Sequence, residues 1–238
     1  PRGGAGPIRG LLPRRSGARR RAHPLEHQAG VVTRRAPGLA MALAAPGCST
    51  AEGEGEVKSD RLYVEDCWNG PFDLGPTFFG ANPYRNTITN RIQRGDNLEE
   101  VSDGLIVLVH DVDKIRDESL GTDLPVGMPA GVTPPGVPVT LNPDPPRVHL
   151  SLYLHDTCHE QNGTLYSVDG KISFDSLFSG DPNEGNADDR LSEARFTATF
   201  ADPRHILPDG SIDPERTSLV TGWFRFFFQR GQPAQPFP

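Results

Sequence analysis

The sequence lacks any hydrophobic run long enough to cross a membrane, and it offers little that would form helices. Its longest apolar stretch, 38–47, holds ten residues, about half of the 20 that a membrane-spanning helix requires. The chain contains 24 prolines, and Gly, Pro, Asp or Asn interrupt it roughly every 8 to 12 residues, which leaves no convincing amphipathic helix. These absences argue against a transmembrane helix and against a helical fold.

Sequence patterns for the common catalytic chemistries are also missing. There is no Gly-x-Ser-x-Gly pattern around a nucleophilic serine and no glycine-rich loop of the kind that binds phosphate. We therefore predict a protein that is not an enzyme. The alternative is a metal-dependent hydrolase that uses histidine and aspartate side chains near His110, which precedes Asp111 and Asp113, or near His155.

Only three cysteines are present, and the first is placed like a lipid-attachment site. Cys48 ends the short apolar stretch, which Arg34 and Arg35 precede; basic residues, a short apolar segment and small residues before a cysteine are typical of a bacterial lipoprotein signal peptide. We predict that residues 31–47 are this signal and that Cys48 is lipidated, which implies the bacterial cell envelope. Ser49 indicates the outer membrane, on its periplasmic or surface side, by analogy with enteric sorting. The alternatives are an ordinary secretory signal or an alanine-rich stretch with a chance cysteine.

The segments on either side of this signal are expected to lack a fixed fold. Residues 1–30 contain seven arginines, many glycines and no periodic apolar face, so we predict a disordered basic segment that is not part of the mature protein. The alternative is a nucleic-acid-binding arm. Residues 48–59 are rich in Glu and Gly and predict a flexible tether, which leaves 60–238 as a folded domain with a sizeable core.

The charge of the chain is distributed unevenly. Nine of the 24 Lys and Arg but only one of the 31 Asp and Glu precede Cys48, so the rest of the chain has 15 basic and 30 acidic side chains and a net charge of −15. Such a surface repels nucleic acid and anionic lipid. We therefore predict no nucleic-acid partner, although an acidic surface also serves solubility alone.

The two remaining cysteines, Cys67 and Cys158, are predicted to form a disulfide, because an exported protein folds in an oxidising compartment. A bridge that closes a loop of about 90 residues stabilises a fold by roughly 4 to 5 kcal/mol in the chain-entropy description. The alternative is a pair of buried free thiols.

Apolar side chains recur with the period of β-strands. Such runs occur at 61–67, 87–93, 105–115, 147–154, 165–168, 171–178 and 195–200. Asp169–Gly170 separates two of them and predicts a tight two-residue hairpin turn. The connections 121–146 and 201–217 are proline-rich and too long for tight turns, so they must lie on the surface. We predict an all-β fold, an antiparallel β-sandwich with long Pro-rich surface loops.

Two segments have the composition of a metal site. His155 and His159 are four residues apart, which suits one metal on a helix, but they follow a predicted strand, so a solvated loop is favoured. The acidic loop 181–189 resembles a calcium loop in composition, with Asp181 and Asp188 as candidate ligands, but it lacks the glycine and glutamate spacing of a helix-loop-helix site. We predict no cofactor, with an irregular calcium site as the alternative.

The last predicted strand has aromatic side chains on both faces. One face has Phe224, Phe226 and Phe228, and the other has Trp223, Arg225 and Phe227. If the first set packs in the core, the second forms a flat aromatic platform beside a guanidinium, suited to a sugar ring or to an apolar patch of a partner. The alternative is that a Pro-rich loop or the tail 230–238 covers the platform.

Three segments are specific enough to support a resemblance: Cys67–Gly70 (Cys-Trp-Asn-Gly), Phe200–Arg204 (Phe-Ala-Asp-Pro-Arg) and the ending Trp223–Pro238. In these, the chain resembles uncharacterised lipoproteins of myxobacteria and related Gram-negative bacteria, over most of 60–238. The resemblance implies an envelope location and no catalytic residue. We predict a lipid-anchored, non-catalytic binding or structural module whose partner is an envelope protein or a glycan.

Overall fold

The structure is a computed structural model that describes residues 53–129, 131–132, 145–159 and 163–229. Within these ranges the chain forms ten β-strands: β1 (Gly53–Val64), β2 (Trp68–Asp73), β3 (Phe78–Tyr84), β4 (Thr87–Gln93), β5 (Asp103–His110), β6 (Asp123–Pro125), β7 (Val148–Leu154), β8 (Thr164–Ser176), β9 (Leu191–Ala201) and β10 (Thr217–Phe227). It also forms one α-helix, α1 (Val112–Glu118), and four 3-10 turns, Glu99–Val101, Asp188–Arg190, Pro203–His205 and Pro214–Arg216. None of the described helices has the length and apolar character needed to span a membrane.

All ten strands belong to one hydrogen-bonded sheet. Nine pair in the order β2-β1-β10-β9-β8-β7-β5-β4-β3, and β6 pairs with β8; every one of these strand pairs is antiparallel. The sheet curls until β1 contacts β3. The rings of Phe79 on β3 and Phe226 on β10 have centroids 6.0 Å apart. The prediction of an all-β fold is confirmed, but a sandwich of two separate sheets is not, because hydrogen bonding runs through every strand.

Apolar residues fill the inner face of this curled sheet. On β10, Phe224 and Phe226 are fully buried, as the alternation of that strand predicted. Phe228 lies just beyond the strand and stacks on Phe178 with ring centroids 4.2 Å apart. The core therefore sits inside the curl, and the opposite, outer face is left for loops and solvent.

The predicted hairpin at Asp169–Gly170 is wrong. Strand β8 continues through both residues, and its register with β9 shifts between Ser167 and Asp169. Gly170 has a φ of +128°, and a Cβ there would overlap the carbonyl oxygen of Thr197. The Asp-Gly pair therefore stays within the strand, just after a β-bulge at Val168, because pairing with β6 on one side and β9 on the other overrides the local turn preference.

Two other predictions are corrected at strand ends. The residues 53–59, predicted as tether, are the first part of β1; Gly53 and Gly55 lie against the rings or Cβ atoms of Phe79, Phe224 and Phe226, which explains a strand with so few apolar residues of its own. The predicted strand 105–115 ends at His110, and the fully buried Ile115 belongs to α1. The predictions for residues 1–47, for Cys48 and for the tail 230–238 lie outside the described residues.

Candidate functional site

The outer face of the sheet has two halves that differ in exposure. On β4, β5 and β7, which we call the covered half, outward-pointing Arg91 and Tyr153 are only 3% and 1% exposed. On β1, β10 and β9, which we call the open half, outward-pointing Leu219 and Trp223 are 59% and 41% exposed. Among the described residues, these side chains of the open half are therefore far more exposed than those of the covered half.

Alternation along β10 places one row of side chains on the open half. The row consists of Leu219, Thr221, Trp223, Arg225 and Phe227. Trp223 is opposite Glu56 on β1 and Arg195 on β9, so strands flank it on both sides. The predicted platform of Trp223, Arg225 and Phe227 lies on this face, with Phe227 half-buried. Because both neighbouring strands are paired to β10, the indole stands on a rigid backbone.

Ion pairs surround Trp223. The closest contacts join Lys58 to Glu56 at 2.8 Å, Arg195 to Asp175 at 2.9 Å, Lys171 to Asp123 at 2.6 Å and Arg225 to Glu193 at 3.4 Å. The Glu56 carboxylate raises the pKa of the Lys58 ammonium through their hydrogen bond. Exposed pairs of this kind contribute about 0 to 1 kcal/mol each. Their main consequence is that the charges beside the indole are already matched.

Two shallow clefts lie along the seam between β1 and β10, each with a volume of about 270 Å³. The first is lined by Lys58, Arg61, Leu219 and Thr221, among others, and the second by Gly53, Glu54, Arg225 and Phe227, among others. The first lies where β1 stops pairing with β10, after Lys58; the register of β1 with β2 also shifts there, between Ser59 and Leu62. Beyond that point, a side-chain hydrogen bond takes the place of the backbone hydrogen bonds between β1 and β10: the Ser59 hydroxyl donates to the Leu219 carbonyl at 2.8 Å.

On the covered half, buried polar side chains satisfy one another. The Tyr153 hydroxyl donates to Gln93 Oε1 at 2.8 Å and accepts from Arg91 Nε at 3.1 Å, while Gln93 Nε2 donates to the Asn97 carbonyl at 2.9 Å. Burial raises the pKa of the Tyr153 phenol. A Cβ at Gly104 would overlap the Tyr153 hydroxyl, so this glycine lets the ring cross β5. The cluster is a structural network that lies under the 94–102 loop.

The candidate metal ligands His155 and His159 lie on one turn, but the surroundings of their side chains differ. Nδ1 of His155 is 2.8 Å from the Glu99 carbonyl oxygen, and its Nε2 is 3.3 Å from the Thr164 hydroxyl. His159 is exposed. Cys158, between them, is bonded to Cys67. Both ring nitrogens of His155 are thus committed to hydrogen bonds within the protein.

The acidic loop is held by its own side chains. Asp181 Oδ1 accepts from the Asn183 amide at 2.8 Å, and Asp189 pairs with Arg116 and accepts from Asn186 at 2.8 Å. The hydrogen bond from Arg116 lowers the pKa of Asp189. Asp188 is exposed in the same loop. In the part of the chain that the structure describes, no group of three or more His, Cys, Asp or Glu side chains could hold a metal ion.

His110, the other candidate for hydrolytic chemistry, contacts histidine rather than aspartate. Its ring lies 5.5 Å from that of His149, and its Nδ1 is 3.5 Å from the Thr87 hydroxyl. Asp111 instead pairs with Arg147 at 3.5 Å. The structure therefore does not bring His110 and Asp111 together as an acid-base pair.

The predicted disulfide is present. Cys67 and Cys158 are bonded, with Cα atoms 5.8 Å apart and a sequence separation of 91. The turn that holds Cys158 is also fixed by Asp103, whose Oδ1 accepts from the Thr157 amide at 3.0 Å. The bridge thus joins the β1–β2 turn to the β7–β8 turn at one end of the sheet.

Sequence reasoning placed Trp223 on the outer face of its strand, as the structure does, but missed part of its surroundings. Leu219 and the cleft beside Lys58 and Arg61 were not predicted as part of the platform. The alternation of β10 could have placed Leu219 on the face of Trp223, but the cleft depends on where β1 leaves β10, for which the sequence has no marker. No family model, no curated protein and no solved structure matches the chain, so the site rests on its own geometry.

Proposed function

We propose that this protein is a lipid-anchored, non-catalytic binding module of the bacterial cell envelope, and that the open half binds a glycan through Trp223. The observation that supports the proposal most is the placement of Trp223: the residue is 41% exposed on the outer face of the curled sheet, with a paired strand on each side. An indole offers a broad apolar surface at little conformational cost and has a polar N–H at its edge. Such a ring suits the apolar face of a sugar.

A glycan suits this face better than a protein does. A stable protein interface buries about 800 Å² on each partner and has an apolar centre. On the open half, Leu219 and Trp223 are separated by Thr221, and charged side chains surround them. Single apolar groups in a polar field give a small contact area. They match a ligand that alternates C–H faces with hydroxyl groups.

The envelope location is supported by the sequence around Cys48 and by the disulfide. Gly53, the start of β1, is the fifth residue after Cys48, so a lipid on Cys48 would keep Gly53 within about 18 Å of its attachment point. Disulfides persist in oxidising compartments such as the periplasm. The resemblance to envelope lipoproteins agrees with this placement.

Glycan binding is tested on an array of neutral linear glycans with the wild-type domain and two tryptophan variants. We expect Trp223→Ala to reduce retention at least tenfold. Trp68→Ala is the matched control, because Trp68 is 37% exposed on β2, away from this row, and we expect it to bind like the wild type. An array on which the wild type binds nothing, or on which both variants bind equally, would overturn the proposal and favour a protein partner.

Lipid attachment is tested by the intact mass of protein extracted from membranes of a bacterial host. We expect the mass of residues 48–238 plus acyl chains, and we expect Cys48→Ser to release the protein from the membrane fraction. A soluble product that retains residues 31–47 would contradict the anchor. Glycan binding by the isolated domain would not be affected by that outcome.

A further inference from the structure

The row on β10 is long compared with a single sugar ring. Its five side chains alternate from Leu219 to Phe227, so the row spans about 27 Å at the rise of an antiparallel strand. Trp223 is the middle member, with Thr221 on one side and Arg225 on the other. A ligand centred on the indole would therefore have contacts available in both directions along the strand.

The two clefts lie at the two ends of this row. One adjoins Leu219 and the other adjoins Phe227, and both have walls from β1. Between them lies Glu56, the direct cross-strand neighbour of Trp223. The clefts and the indole thus lie in one line along the paired strands β1 and β10, and we call this line the seam.

The seam is shallow rather than enclosed. A site that recognises the end of a chain is usually a concave pocket that buries most of the ligand. Both clefts along the seam are open to solvent. In the described residues, no side chain of the β10 row blocks either end of the row. A chain bound over Trp223 can therefore continue past both ends of the row.

The basic side chains along the seam are matched within the protein, whereas Glu54 and Asp60, which also line the clefts, form no ion pair in the described part of the chain. Lys58 pairs with Glu56 at 2.8 Å, Arg225 with Glu193 at 3.4 Å, and Arg61 with Glu215 at 3.4 Å. A charged ligand would have to compete with these contacts. A neutral ligand can accept or donate hydrogen bonds at their exposed edges and leave each pair intact, while the additional carboxylates repel an anionic chain, so among glycans the seam favours an uncharged polymer.

We infer that the seam recognises an internal stretch of an extended, neutral polysaccharide, rather than a chain end or a single sugar. This inference rests on the proposed glycan-binding function and specifies its substrate class. The central sugar stacks on Trp223, and the units before and after it occupy the clefts beside Leu219 and Phe227. Affinity should then rise with chain length until the ligand spans the row.

The test compares short and long chains by titration calorimetry on the intact domain. The probes are the dimers and hexamers of β-1,4-linked N-acetylglucosamine, glucose and mannose. We expect at least one hexamer to bind ten times more tightly than its dimer. Leu219→Ala should weaken that hexamer several-fold and leave the dimer unchanged, whereas Trp223→Ala should weaken both. Leu207→Ala is the matched control, because Leu207 is 50% exposed in the β9–β10 loop and is not part of the row.

The outcomes separate the inference from the function on which it rests. Equal affinity for dimer and hexamer, or an unchanged hexamer affinity in Leu219→Ala, would overturn the internal-chain inference and leave glycan binding in place. Binding of none of the six probes would overturn the neutral-glycan function itself. Circular dichroism of each variant identifies any loss of binding that comes from unfolding.

Discussion

The covered half and the open half belong to the same face of the same sheet, yet they use polar side chains in opposite ways. On the covered half, Arg91, Gln93 and Tyr153 are buried and hydrogen-bonded to each other. On the open half, Arg195 pairs with Asp175 while its side chain stays 68% exposed. The comparison teaches that the chemistry of the side chains on a sheet face does not determine whether they stabilise the fold or stay available for binding. What determines their role is whether loops cover that part of the face.

This difference has an energetic consequence. A buried polar group that loses its partner costs about 1 to 3 kcal/mol, because water cannot replace the partner. An exposed ion pair contributes about 0 to 1 kcal/mol, because water solvates both charges once the pair is broken. The covered half should therefore determine stability, and the open half can change its side chains with little effect on folding.

The largest effect is expected from Arg91→Ala on the covered half. This change removes a donor to Tyr153, empties buried volume and should lower the free energy of unfolding by about 3 kcal/mol. Arg195→Ala on the open half is the matched control and should cost less than about 1 kcal/mol. Urea unfolding monitored by circular dichroism measures both. Equal losses would show that the two halves do not differ.

A smaller loss is expected from Tyr153→Phe, which removes only a hydroxyl. The change leaves Gln93 Oε1 and Arg91 Nε without their contact to it, so unfolding should become easier by about 1 to 2 kcal/mol. Tyr84→Phe is the control, since Tyr84 is 66% exposed, and it should change stability by less than about 0.5 kcal/mol. A double-mutant cycle with Arg91→Ala would give a coupling term near zero if the network did not exist.

The carboxyl of Glu99 allows the two halves to be compared by the pH dependence of stability. Burial raises its pKa, although Arg91 and His155 oppose the shift. A raised carboxyl pKa stabilises the fold below the ordinary value of 4.5, and this contribution is lost as pH rises through the raised value. Glu99→Gln should therefore stabilise the protein near neutral pH, by less than about 1 kcal/mol because the group is only partly buried.

The same substitution should bring no such gain in acid. We expect the difference in unfolding free energy between Glu99→Gln and the wild type to shrink as the pH is lowered to 4. Thermal unfolding across a pH series measures it. Glu56→Gln on the open half, which loses the pair with Lys58, should not stabilise at any pH in the series. A Glu56→Gln variant more stable than the wild type would contradict the proposed difference between the covered half and the open half.

The smallest stability effect is expected from Trp223→Ala, the variant with the largest proposed effect on binding. An exposed side chain away from the core typically changes stability by no more than about 0.5 kcal/mol. Its melting temperature should therefore stay close to that of the wild type. A large drop would assign Trp223 a structural role and weaken the case for a binding face.

The parts of the fold that were predictable have strong local patterns. The alternation in β10 correctly divided Phe224 and Phe226 from Trp223, because a strand with one buried face has a period of two. The pairing of Cys67 with Cys158 followed from having only two cysteines after Cys48. Both inferences needed no knowledge of distant contacts.

The parts that were missed depend on contacts between distant segments. Asp169–Gly170 has the residues of a tight turn, and only the strands on both sides of β8 keep it extended within that strand, just after the bulge at Val168. The glycines of early β1 look like a linker because the phenyl rings that cover them come from β3 and β10. Arg91 and Gln93 look like solvent-facing residues, and their burial depends on the loop after β4. No local pattern reports such contacts.

The pairing of β1 with β10 also limits when the protein can fold. Gly53 pairs with Phe226, so one edge of β1 stays unpaired until β10 is available to pair with it. Contacts that are so distant in sequence slow folding, and a chain that emerges N-terminus first would expose the edges of both β1 and β9 until Thr217–Phe227 is available. If the protein is exported as we propose, this delay is useful, because the sheet cannot close before the chain has crossed the membrane. A truncation before Thr217 would leave two open edges and a template for aggregation.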